Sequence, residues 1–252
     1  MTEKTLNNRK NGMVVLLLLV LVYVASVVLF IFGVSYDILP LTLISCVWFV
    51  FGWIFFLGLK VLKPQEALVL TLFGKYVGTL KNSGFYFVNP FCTAVNPAAG
   101  TKLNQSGDVK VLGAKQPSGG VDVSIDIPTK KISLKIMTLN NNRQKINDCL
   151  GNPVEIGIAV MWRVVDTAKA VFNVDNYKEY LSLQCDSALR NIVRIYPYDI
   201  APNVDTTGDG IADEGSLRGS SEVVAARIKD EIQDKVSEAG IEILEARITY
   251  LA

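Results

Sequence analysis

Residues 13–34 read MVVLLLLVLVYVASVVLFIFGV and residues 38–59 read ILPLTLISCVWFVFGWIFFLGL, two uncharged stretches separated only by Ser35-Tyr36-Asp37. As helices rising about 1.5 Å per residue, each is long enough to cross a hydrocarbon core of roughly 30 Å. Residues 13–62 contain a single acid, Asp37, and a single base, Lys60. The connection is too short for structure of its own, and Pro40 suits the first turn of a helix. The reading is an antiparallel transmembrane hairpin over 13–62, with spans at 13–34 and 38–60. Pro40 also suits the tip of a re-entrant wedge, a shallower alternative to two full spans.

Charge then sets the direction. Lys4, Arg9 and Lys10 precede the first span, Lys60, Lys63 and Lys75 follow the second, and the loop between has no base. The positive-inside rule puts the tail 1–12 and everything after the hairpin on the cytoplasmic side of a cell membrane, with both termini there. A cleaved secretory signal competes for the N-terminus. The apolar run is longer than a signal core, however, and Val24-Ala25-Ser26 leads into more Val, Leu and Phe.

The remainder, 63–252, holds 21 bases and 22 acids, so it lacks the basic field that phosphate-backbone binding demands, and no nucleic-acid partner is expected. The chain has no histidine, which removes Ser-His and Cys-His nucleophile pairs and His-metal sites together. Cys46, Cys92, Cys149 and Cys185 form no C-x-x-C and read as isolated reduced thiols. No catalytic residue and no cofactor is expected; a Ser-Lys hydrolase is the last alternative. Phe73-Gly74-Lys75-Tyr76 lacks the earlier glycine and the Ser or Thr of a phosphate loop. One metal candidate stands out, a calcium-loop-like run carrying Asp205, Asp209, Asp213 and Glu214. Thr207 and Ser216 occupy positions where such loops place ligands, so a solvated acidic turn is the plainer reading.

Patterning predicts an antiparallel sheet with packed helices. Strands are read at 67–72 and 77–80, at 121–127 and 132–137 where apolar and polar residues alternate, and at 154–165. A short helix starts at Asp166-Thr167, and Asp175 is read as the cap of a longer one running to about Tyr196. On that helix Asp186 and Arg190 are read as an i,i+4 pair. A last helix runs from about Ser220 to Gly240, and 241–250 closes as a strand with Leu244, Ala246, Ile248 and Tyr250 on one face. The fold class is α+β, with a membrane-proximal subdomain at 63–120 and a second at 121–252.

The run Lys63-Pro64-Gln65-Glu66-Ala67 followed by VLTLFGKYVGTLKNSGFYFVNPF resembles the SPFH superfamily of stomatin, prohibitin, flotillin and HflK/HflC, also called band 7 or prohibitin-homology. So do KISLKIMTLNNNRQKINDCLGNPVEIGIAVMWRVVDTAKAVFNVDNYKEYLSLQCDSALRNIVRIYPYD and SEVVAARIKDEIQDKVSEAGIEILEARITYLA. The resemblance, closest to stomatin-like prokaryotic-type members, implies a membrane-anchored, non-catalytic domain that assembles into homo-oligomeric rings or cages and organises membrane microdomains. Such members usually continue into a long helix after the last strand, so a truncated chain is expected to assemble more weakly. The expected partners are membrane lipid and copies of the chain, with regulation of a membrane protease or channel as the alternative. For the aromatic run ending at Pro90-Phe91, packing in the core of the membrane-proximal subdomain is the plainer reading and dipping into the head-group layer the functional one, with Phe85, Tyr86, Phe87 and Phe91 as the lipid contacts; Glu242, Glu245 and Arg247 are the expected oligomer contacts.

Overall fold

A computed structural model describes residues 2–6, 11–103, 109–111, 129–141, 143–199 and 216–252. Its contacts divide the chain into two compact units, one of residues 4–95 with 131–133, the other of 1–3, 96–130 and 134–252. The hairpin and the first sheet thus belong to one unit, where the sequence reading had separated 13–62 from 63–120. The expected strand at 121–127 lies outside the described residues.

In the first unit, α1 (Gly12–Ser35) is followed by α2 (Leu39–Phe51) and α3 (Trp53–Phe56), which together supply two helices long and apolar enough to cross a membrane, Gly12–Ser35 and Leu39–Phe56. The buried residues of α1 are Gly12, Leu19, Ser26 and Gly33, every seventh position, which makes a narrow seam of mostly small side chains. At Gly33 an added Cβ would sit 3.0 Å from the Thr42 nitrogen, so backbone meets backbone there. Ser26 and Ser45, buried in the seam, donate their hydroxyls to carbonyls of their own helices, at Tyr23 (2.7 Å) and Leu41 (2.8 Å). That leaves no unpaired hydroxyl hydrogen where water is absent.

The second helix stops at Phe56, and β1 (Leu59–Leu62) begins after only two intervening residues, inside what the sequence reading took as span. The strands that follow are β2 (Glu66–Leu72), β3 (Lys75–Leu80), β4 (Gly84–Phe87) and β5 (Thr93–Ala94). β1 pairs antiparallel with β4, and a second sheet has the order β3-β2-β5. Leu62, Leu68, Leu70, Leu80, Tyr86, Val88 and Cys92 form the core beneath them.

The second unit contains β6 (Thr101–Leu103) and β7 (Val109–Val111) as a pair. The 132–137 alternation is not one strand. β8 (Ile132–Ser133) joins β2 of the first unit, while β9 (Met137–Asn140) pairs with β11 (Pro153–Val164) in the second. β10 (Gln144–Asn147) and β12 (Ile241–Leu251) also pair with β11, all antiparallel. Packed on this sheet are α4 (Thr167–Phe172), α5 (Tyr177–Val193) and α6 (Ser221–Val236), with α6 along β12 and α5 against α6. The α5 stripe of Tyr177, Leu181, Cys185, Ala188 and Ile192 is buried as its spacing predicts, and so is Val224, Ile228, Ile232 and Val236 on α6; Ile195, which the same spacing adds to the α5 stripe, is half-buried past the helix end at Val193.

Local chemistry fixes the helix ends. Asp166 caps α4 by accepting from the Lys169 N–H at 2.9 Å. The cap of α5 is Asn176, which accepts from Lys178 and Glu179, one residue later than Asp175. After α6 the chain reverses at Gly240, φ +66°, whose carbonyl accepts from the Val165 and Asp166 N–H groups. Asp186 does not pair with Arg190: its carboxylate accepts from Asn141 and Gln144, and Arg190 donates to the Gln144 carbonyl at 3.0 Å. Gln144 at the start of β10 and Asn141 just after β9 bring their amides to Asp186 in place of the arginine one turn on.

Candidate functional site

The end of the helical hairpin is built as a tight crossing. Register puts Leu59 opposite Phe87 and Val61 opposite Phe85, so β4 runs back toward the end of the hairpin as β1 runs away from it. The Val88 N–H closes the crossing by donating to the Gly58 carbonyl at 2.9 Å. A side chain at residue 58 would collide with the Val88 carbonyl and lie 2.8 Å from the Phe87 ring, so the approach needs glycine. The Phe85 ring covers the first turn of α1 in the same way, 2.7 Å from where a Cβ on Gly12 would stand.

Strand alternation sorts the expected lipid contacts. Phe85 and Phe87 are half-buried against the hairpin, whereas Tyr86 points to the opposite side, is 2 % exposed and donates its hydroxyl to the Asn82 carbonyl at 2.9 Å. Tyr86 is therefore a core residue. Phe91, 58 % exposed, follows the Val88 crossing and stacks on Phe73, with ring centroids 6.5 Å apart.

Phe73 is 88 % exposed; in the sequence it stood out only within the Phe73-Gly74-Lys75-Tyr76 run, not as a lipid contact. It forms with Gly74 the two-residue turn between β2 and β3, at φ +48° and +82°. Positive φ at both positions is the hairpin turn that ordinarily takes Asn-Gly, so a phenylalanine there is strained and unburied. A Phe-Gly pair in that slot is the signal the sequence offered. Because β5 leaves the loop that follows β4 and β2 runs antiparallel to it, with Thr71 opposite Thr93, the tip of β2 returns to the level of Phe91.

The expected oligomer contacts lie along β12. Glu242 accepts from Arg163 at 2.6 Å across the sheet, and Glu245 pairs with Arg247. Bulges fall between Ile243 and Glu245 and again between Ile248 and Tyr250. The first bulge shifts the alternation, so the buried residues are Ile241, Ile243 and Ala246, and Leu244 is not in the core face where strict alternation put it. β12 pairs with β11 alone among the described strands.

Buried ionisable groups have structural partners. Asp148 is pushed up by burial, but hydrogen bonds from the Asn152 side chain and from the N–H groups of Tyr198, Asn152 and Leu150 outweigh that and hold it below its ordinary value of 3.8. Burial lowers Lys178, whose ammonium donates to the Ala98 and Thr101 carbonyls at 3.2 and 2.6 Å. Tyr177, buried edge-on against Trp162, is pushed up to about 12 by burial. Burial, then the Asp186 and Asp148 charges respectively, push the Cys185 and Cys149 thiols up, away from the reactive thiolate. Asp205, Asp209, Asp213 and Glu214 lie outside the described residues, and among the described ones no group of three or more His, Cys, Asp or Glu could hold a metal ion.

The profile of the SPFH domain / Band 7 family matches residues 60–251. The chain belongs to this family. The match begins at β1, immediately after the apolar helices, and ends at the last residue of β12, so it takes in both sheets and every helix packed on them. No curated protein matches the chain significantly. Family membership makes the chain a member of a group of membrane-associated scaffolds that are generally not enzymes.

Proposed function

We propose that the chain is a scaffold held at the cytoplasmic face of the membrane by its two spans, assembling side by side with its own copies to organise a patch of bilayer. The observation that carries this reading is the absence of a linker: the helical hairpin ends at Phe56, β1 starts at Leu59, and both fall in one compact unit. A domain joined this way keeps a set height and attitude at the bilayer, which lateral assembly requires. Two spans also confine the copies to a plane, so weak contacts become effective without added affinity. The stacked pair Phe73 and Phe91, with Lys75 beside the turn, fits the head-group layer, where aromatic rings and cations are favoured.

The test is the mass of the gently solubilised particle, combined with protease digestion of sealed vesicles of known orientation. A large homo-oligomer with the bulk of the chain digested only from the cytoplasmic side supports the reading. A monomer, or digestion from the far side, overturns it; a stoichiometric membrane protease in the particle replaces it with regulation of that partner.

A further inference from the structure

Beside β12 lies a groove of about 580 Å³ whose walls are Glu245, Arg247 and their strand neighbours on one side and Ser221, Ala225, Ala226 and Lys229 of α6 on the other. The backbone of β12 shows what this groove offers. Successive residues of a strand turn their N–H and C=O groups to opposite edges. On β11 the Ile158 carbonyl accepts from Asn141, on the β9 side, while Glu155 exchanges both its bonds with Ala252. Odd-numbered residues of β11 therefore face β12. Register pairs Arg163 with Glu242 and Ala159 with Arg247, so those two β12 residues turn inward and Ile241, Ile243, Ala246 and Ile248 turn outward.

Gln233 of α6 corroborates the phase. Its amide donates to the Ile241 carbonyl at 3.2 Å and accepts from the Ile243 N–H at 2.7 Å, imitating a neighbouring strand. The edge is thus closed at 241–243; at Ala246, 7 % exposed, and Ile248 no described residue bonds it, and both line the groove. Glu245 and Arg247 flank this opening, and their side chains are 42 % and 66 % exposed.

We infer that the open edge of β12 pairs antiparallel with β12 of a second copy, with Ala246 on the twofold axis. This inference rests on the scaffold reading above and names one of its contacts, since a twofold pair closes at two copies and a larger particle needs a second contact. In that register the outward groups of Ala246 bond those of Ala246 in the second copy. Glu245 then lies directly opposite Arg247 of that copy, and Arg247 opposite its Glu245, at the position where facing side chains come closest. The strand is self-complementary in charge, as an isologous interface requires. Moving the axis to Arg247 would set arginine against arginine and bring inward-turned backbone to the centre. The open stretch is short, so the pair depends on the planar confinement that the spans impose.

The test uses the full chain in native membranes. Copies carrying Glu245→Cys and a different tag from copies carrying Arg247→Cys should form, on mild oxidation, a disulfide species bearing both tags. Neither variant alone should do so, because like positions sit diagonally, about 7–8 Å apart, beyond disulfide reach. In a second arm, copies with Glu245→Arg should pair with copies carrying Arg247→Glu and not with themselves, at least about ten-fold in favour of the mixed pair. Both variants lose the Glu245–Arg247 pair within the chain, so a merely structural role cannot produce that preference. No mixed species while the particle stays large overturns the β12 contact and leaves the scaffold reading standing. A foreign protein captured at residue 245 also overturns the second-copy assignment, and a monomeric wild-type particle overturns both.

Discussion

Phe73 is where stability and membrane contact should move in opposite directions. A residue with a Cβ in the left-handed region costs roughly 1–2 kcal/mol, and asparagine recovers much of this through local hydrogen bonding. Replacement by Asn and replacement by Ala both remove the ring and its stack on Phe91, so the difference between the two variants isolates the backbone at φ +48°. Phe73→Asn should therefore be more stable than Phe73→Ala by about 1 kcal/mol, or about 2–4 °C in melting temperature for a domain of this size. Thermal unfolding of the full chain in mild detergent reads this directly. A nitroxide on Phe73→Cys in reconstituted vesicles should meanwhile collide more with oxygen and less with an aqueous nickel complex than one on the exposed Lys145→Cys. Equal melting of the two Phe73 variants would refute the turn geometry; equal collision profiles at 73 and 145 would refute the head-group placement.

Other consequences are equally measurable. Gly240→Ala must place a methyl group against the Asp166 carbonyl and 2.9 Å from its Cβ at a positive φ, and should cost about 3 kcal/mol in chemical denaturation. Gly58→Ala should force apart the Gly58–Val88 crossing at the end of the helical hairpin, seen as new proteolytic cleavage between 56 and 66 while the helicity by circular dichroism is unchanged. Asp148 has a depressed pKa, so its contribution is fully present above its ordinary value of 3.8 and is lost as pH falls below that through the folded-state value. Asp148→Asn should lower the urea midpoint at neutral pH and flatten its decline on acidification; an unchanged acid limb would remove Asp148 from the account.

The two long apolar helices, the α5 and α6 stripes and the SPFH resemblance were legible in the chain because each rests on local periodicity or on the order of short runs. The candidate surfaces were legible only in part. Phe85, Tyr86, Phe87 and Phe91 are equally aromatic in the sequence, yet strand alternation sends Tyr86 to the core, while Phe91 lies past the end of β4, exposed and stacked on Phe73. Glu242, Glu245 and Arg247 are a row of charges on paper; the bulge after Ile243 and the amide of Gln233 decide which part of the edge is closed.

Hydrophobic length and charge asymmetry, properties of the chain alone, determined that it is built for a membrane and which side its soluble part is expected to take. Pairing partners are a different matter, since hydrogen bonds between strands join residues far apart in sequence and a single inserted residue reverses which face is buried. Thus Ile132 and Met137, read as one strand, went to separate sheets, and the free edge of β12 could be found only once the register of β11 was known.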